Sequence, residues 1–211
     1  MSAISRLSSQ VGDRTEASNH AVAAACLADT ALLDEIVGGI TSDDAALVGD
    51  CVEVLTFVSE SRPDLVAPQT SRLIGLLDHP TTRVRWEAVH ALSHVAMSAP
   101  TLVAPSVPRL TALLETDRSV IVRDHAVDAL VAVACGVPDK VDVIVRPLLN
   151  ALDRWDGKQA ARILTGLAAI ARISPGLRDE LGGVGMLWND HPRPGVRKAA
   201  RALVRAADGP R

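Results

Sequence analysis

The chain reads as all-α, an α-solenoid of about five to six stacked helical pairs, and three observations predict it. Leu55, Leu92, Leu130 and Leu167 recur 37, 38 and 37 residues apart, and Pro63, Pro100, Pro138 and Pro175 each follow eight residues later. Between these markers runs a long segment of helical apolar spacing, then a Pro-bearing turn, then a shorter helical segment. A period of that length marks stacked helical repeats. Composition agrees: 48% of residues are apolar, yet Phe57, Trp86, Trp155 and Trp188 are the only aromatics and tyrosine is absent. The core is therefore built from Ala, Val and Leu, whose small side chains let neighbouring helices approach closely.

Residues 15–28 supply a first helix. Residues 30–41 supply a shorter one, because Ile36, Val37 and Ile40 stand 37 residues before Leu73, Ile74 and Leu77. The repeat units then run 45–80, 81–117, 118–156 and 157–192, with 1–44 in front and 193–211 as a closing cap, all within a single domain, 1–211. In the longer helices Val84, Ala88, Leu92 and Val95, or Val122, Ala126, Leu130 and Val133, share one face. Leu110, Leu113 and Leu114 mark a shorter helix. Ser174 and Pro175 read as an N-cap serine followed by proline at the first helical position. Gly182-Gly183-Val184-Gly185 follows a helix rather than a strand, so it reads as a helix-terminating turn, not a phosphate loop.

The stretches LLDHPTTRVRWEAVHAL (76–92) and LLETDRSVIVRDHAVDAL (113–130) resemble the HEAT repeat, an armadillo-like unit: a leucine-rich helix end, a short Asp-bearing turn, then VRxxAxxAL. NDHPRPGVRKAA (189–200) keeps the turn and VRxxA. Two units depart, with Gly49 close to the arginine position in one and Ala160 at it in another. The resemblance implies stacked helical pairs with the longer, second helices on a concave side. It also implies an Asp–Arg ladder between turns, pairing Arg85, Arg123 and Arg197 with Asp78, Asp117 and Asp190. One HEAT-like enzyme family, deoxyhypusine hydroxylase, is similar at the repeat level and binds iron through His-Glu pairs after the VR. Trp86-Glu87 and Asp124-His125 stand there instead, so that activity does not carry over.

The net charge of −3 hides an asymmetry: residues 157–211 balance at +6 and residues 1–156 at −9. Cys26, Cys51 and Cys135 lack metal-ligand spacing and read as buried small hydrophobes in a reducing compartment. Met1 to Gly12 has no continuous apolar segment, and the longest stretch free of acidic and basic residues, Ala88 to Pro108, is broken by two prolines and two histidines before Pro108. Neither a secretory signal nor a membrane span is expected, and the expected location is the cytoplasm. Walker, HExxH and GxSxG motifs do not occur, and no catalytic residue or cofactor is expected.

The solvent stripe of the 81–97 helix is Trp86, His90 and His94 at i, i+4, i+8. In register stand Gly49, Glu53 and Phe57 before it and Asp124, Asp128 and Ala132 after it, so that Glu53, His90, Asp128 and Thr165 form one transverse row. Trp86, His90, His94, Glu53, Phe57, Asp124 and Asp128 are thus the candidate contacts for a protein or peptide partner of a non-enzymatic HEAT-repeat scaffold. Two imidazoles with Asp128 and Glu53 also suit a divalent metal in principle, but a solvated polar stripe is the simpler reading and no metal is expected. Arg197, Arg201 and Arg205 share a face near the C-terminus. A solvated cap is the first reading of that face, and anion binding is the second. The alternative function, nucleic-acid binding like that of the HEAT-like alkylpurine DNA glycosylases, rests on these arginines, although the central row is acidic or neutral.

Overall fold

The computed structural model describes residues 2–209, and all regular structure among them is helical. Contacts group the chain into two compact units, one up to Val103 and one from Ala104 onward. In the first unit, short helical turns at Ile4–Arg6 and Ser8–Val11 lead to α1 (Ala17–Ala28), α2 (Leu32–Gly39), α3 (Ala45–Ser61), α4 (Thr70–Gly75) and α5 (Thr82–Ser98). The second helices are α1, α3 and α5, and α3 packs on both of the others. Leu55 and Leu92 are fully buried together with Ile36, Leu73 and Leu77. Each such side chain contributes roughly 1.5–3 kcal/mol by leaving water.

Local chemistry sets the helix starts. The Asp44 carboxylate accepts the Ala46 N–H at 2.9 Å and begins α3. Ahead of α1, Asp13 accepts the N–H groups of Thr15 (2.8 Å) and Ser18 (3.1 Å). The Thr15 amide, the Ser18 hydroxyl and the Thr15 hydroxyl, in that order, hold its carboxyl down at about 2. Pro63 and Pro100 open the short helices that follow α3 and α5, positions where the missing N–H is not needed.

The second unit holds α6 (Val107–Thr116), α7 (Val120–Gly136), α8 (Val141–Asn150), α9 (Ala160–Ile173), α10 (Arg178–Leu187) and α11 (Pro194–Ala207). Leu110, Leu114, Leu130, Ile144 and Leu148 are its largest fully buried aliphatic side chains. Helix α7 packs on α6 and α9, and α11 on α9 and α10.

Three local expectations are corrected in this unit. Gly182 to Gly185 lies inside α10 rather than in a turn, because these glycines admit α11. A Cβ on Gly185 would stand 2.8 Å from Val204 Cγ2 and 3.0 Å from the Ala200 carbonyl. Pro175 does begin a helical turn, but the Ser174 side chain makes no capping bond; the Ser174 carbonyl accepts the Leu177 N–H instead. Cys26 and Cys51 are buried, but Cys135 is exposed in the last turn of α7.

The ladder arginines fasten the turns through backbone oxygens. Arg85 Nη1 donates to the carbonyls of His79 (2.8 Å) and Pro80 (3.0 Å), and Arg197 Nη1 donates to those of His191 (2.9 Å) and Pro192 (2.8 Å). In each of these turns the histidine Nδ1 accepts the N–H two residues on, from Thr81 or Arg193, at 3.1 Å. Among the described residues Arg197 therefore does not pair with Asp190, contrary to the implied ladder. Arg123 donates to the Asp117 carbonyl at 2.6 Å, and the Asp117 carboxylate accepts the Ser119 N–H at 2.8 Å.

Candidate functional site

In the first unit the row of Glu53, Phe57, Trp86, His90 and His94 rests on a polar network that joins α1, α3 and α5. Glu53 belongs to that network rather than to a solvent stripe: it is 7% exposed, and its Oε2 accepts Asn19 Nδ2 (2.5 Å) and Arg83 Nη2 (2.9 Å). Asp50, 1% exposed, accepts the same two donors at 3.0 and 2.7 Å, and the Ser9 N–H at 2.6 Å. Burial pulls the Asp50 carboxyl upward, but Ser9, Asn19 and Arg83 outweigh it and hold it below the ordinary range. Gly49 leaves room for Arg83, since a Cβ there would stand 3.2 Å from Arg83 Nη1, a tight approach. The network borders a cleft of about 410 Å³ lined also by Ser8, Asp13 and Arg14.

The aromatic and imidazole groups of α3 and α5, Phe57, Trp86, His90 and His94, are half-buried. Phe57 stacks on His20 of α1 with ring centroids 3.6 Å apart. The His90 and His94 rings lie 4.7 Å apart and tilted, and His94 Nδ1 is 2.9 Å from the Ser59 hydroxyl. Beneath them, Glu87 is buried and the Thr56 hydroxyl donates to its carbonyl at 3.1 Å. Desolvation first, then the charge of Glu53, pushes the Glu87 carboxyl up to about 7.

Asp124 and Asp128 belong to the second unit, where both are half-buried and neutralised. Arg162 of α9 donates to Asp128 at 2.5 Å and lies 3.7 Å from Asp124. His125 Nδ1 is 3.7 Å from Asp128. Burial raises the Asp128 carboxyl, but the bonds from His125 and Arg162 bring it below its ordinary value. Beside this pair the Arg123 guanidinium is fully buried, 4.1 Å from the centre of the Trp155 ring, with Nε 3.3 Å from Gln159 Oε1. Gln159 Nε2 donates to Asp124 at 3.1 Å, so this glutamine spans the gap left by Ala160 in the arginine position. Trp155 and Asp156 adopt φ of 55° and 57°, followed by Gly157 at 62°. The indole N–H bonds the Leu114 carbonyl (3.3 Å), and Arg193 donates to the Asp156 and Gly157 carbonyls, holding this left-handed turn in place.

On α11, Arg201 and Arg205 are exposed and Arg197 is half-buried. Arg201 Nε donates to Asn189 Oδ1 at 3.1 Å. No group of three or more His, Cys, Asp or Glu side chains able to hold a metal ion forms among the described residues. No helix among them is long and apolar enough to cross a membrane.

Of the proposed contacts, α5 carries Trp86, His90 and His94 at helical spacing with the two imidazoles 4.7 Å apart, α3 carries Phe57 and the buried Glu53, and in the second unit Arg162 joins Asp124 and Asp128. His20, Asn19, Arg83, Gln159 and Arg162 were missed by the sequence reading. Each lies 30 or more residues from the group it holds, and only the repeat register hints at the pairing.

No protein-family model and no curated protein matches the sequence. Solved structures do. A designed armadillo repeat protein in complex with the peptide (KR)4 is 19% identical, with 97% of this chain and 98% of that chain covered and a TM-score of 0.76. Computationally designed armadillo repeat proteins for modular peptide recognition are 18% identical, with 97% and 98% covered and a TM-score of 0.74. A mutant of Kap121p, a karyopherin of HEAT repeats, is 18% identical with a TM-score of 0.73, matching 95% of this chain to 22% of its own. The chain thus has an armadillo/HEAT-like repeat fold, an α-solenoid.

Proposed function

We propose that the chain is a non-enzymatic HEAT-like repeat scaffold that holds a protein or peptide partner on the face of its second helices that such a stack makes concave. The observation that carries this reading is the half-buried rings of Phe57 on α3 and of Trp86, His90 and His94 on α5, two helices tied together by the ion pairs of Arg83 with Asp50 and Glu53. Large amphipathic side chains on a rigid support lose little ordering entropy on binding and dominate interface energy. In the second unit Asp124 and Asp128 are candidate hydrogen-bond acceptors only, their charge being met already by Arg162. Peptide binding by the designed armadillo neighbours supports a peptide as the partner class.

The test is selection of peptides from a display library on the full chain, followed by titration of the best binder. Trp86→Ala should weaken it by about 2 kcal/mol, the size expected of a hot spot, with the unfolding midpoint little changed. Unchanged affinity in a folded Trp86→Ala protein would remove the reading.

A further inference from the structure

Helix α11 departs from the second helices before it at two register positions. Arg201 stands where Val52, Val89, Val127 and Leu164 stand in the other units, and Arg205 where Thr56, Ser93, Val131 and Ala168 stand. The first four are fully buried, and Thr56, Ser93 and Ala168 are buried as well. Within an array this second position contacts the following helix: Thr56 reaches the Glu87 carbonyl, and a Cβ on Gly166 would meet Val131 Cγ2 at 2.3 Å. On α11 both positions are exposed arginines.

Solubility alone does not account for this face. Arg197, Arg201 and Arg205 repeat at i, i+4 and i+8, a spacing at which like charges destabilise a helix. Two other cations of the unit are neutralised, Arg146 by Glu180 at 2.5 Å and Arg162 by Asp128. Among the described residues no carboxylate lies within ion-pair distance of Arg197, Lys198, Arg201 or Arg205. With Pro194 these four side chains line a shallow cleft of about 400 Å³.

We propose that this face docks an extended acidic segment of a partner protein, with carboxylates on alternate residues. Four residues of helix advance about 6 Å, and alternate side chains of an extended chain are about 6.6 Å apart, so successive carboxylates meet successive arginines. Guanidinium groups pair with carboxylates bidentately, which fixes register as well as charge. The exposed side of α11 carries no aromatic ring on which unpaired bases could stack, and the neighbouring Trp188 is occupied by His191 at 5.3 Å. That favours an acidic polypeptide over single-stranded nucleic acid.

The full chain is titrated in low salt with three labelled probes of equal charge: a peptide alternating Glu and Gly, an isomer with its Glu residues contiguous, and a single-stranded oligonucleotide. The alternating peptide should bind most tightly, and Arg201→Gln with Arg205→Gln should weaken it about tenfold, the sum of two exposed ion pairs, at an unchanged unfolding midpoint. A fourth probe, a peptide alternating Lys and Gly, should bind Arg201→Glu with Arg205→Glu more tightly than it binds the wild type. Equal binding by wild type and the Gln variant, or a preference for the oligonucleotide, overturns the proposal. So does a wild-type dimer, seen by sedimentation, that the Gln variant dissolves, because the face then belongs to a second copy.

Discussion

The two units fasten their second helices with opposite charges. In the first, α1, α3 and α5 meet around three buried acids, Asp50, Glu53 and Glu87, with Arg83 as their only cationic hydrogen-bond partner among the described residues. In the second, α7 and α9 meet around a buried guanidinium, Arg123, held by a carbonyl, an amide oxygen and an indole face. The apolar frame is the same in both, with leucines at one register and small residues between helices. What differs is how each unit answers a lost partner or a change of pH. Removing a cation from the first strands carboxylates, and one of those acids titrates in the neutral range. The second contains no such group at its centre.

The largest effect expected from this contrast is that of Arg83→Ala. It leaves Asp50 and Glu53 buried without their cation, a situation that costs about 3–5 kcal/mol, and the urea midpoint should fall accordingly. Arg123→Ala should cost less, about 2–3 kcal/mol, since it removes a charged hydrogen bond and a cation–π contact while its nearby carboxylates keep other partners, Asp117 the Ser119 N–H and Asp124 the Gln159 amide. Its cost should be the same at about pH 5.5 and about pH 8. A larger loss for Arg123 than for Arg83 would break the comparison.

Glu87 gives the smaller and more selective effect. Its ordinary value of 4.5 is raised to about 7 in the folded chain, so the folded state holds the proton more tightly than the unfolded one. The favourable contribution is complete below about pH 4.5 and is lost as pH rises through about 7. Glu87→Gln should therefore stabilise the protein by up to about 3 kcal/mol at about pH 8 and leave it unchanged at about pH 4. Equal effects at both pH values would show that the carboxyl is not desolvated as described.

The leucine and proline periods made the helical pairs legible, because burial of one face per helix imposes its spacing on the sequence directly. The second-helix positions of Trp86, His90 and His94 were legible for the same reason. The burial of Glu53 was not: its donors, Asn19 and Arg83, come from two other helices, and a glutamate at a solvent-facing register looks alike with or without them. The ladder expectation failed at Arg197, whose guanidinium is drawn to the His191 and Pro192 carbonyls of its own turn rather than to Asp190. Gly182 and Gly185 were read as turn formers because close helix approach leaves no signal distinct from glycine content. The left-handed turn at Trp155 and Asp156 is fixed by Arg123, Leu114 and Arg193, at a distance that local sequence does not encode.

The central claim is that the partner lies on Phe57, Trp86, His90 and His94. Hydroxyl-radical footprinting of the full chain, with and without a display-selected peptide, tests it most directly. The peptide should protect Phe57 and Trp86 and leave Trp155 and Trp188 unchanged. Protection confined to Trp188 or to the exposed Met186 and Leu187 at the end of α10, with Trp86 as reactive as in the free protein, would contradict it.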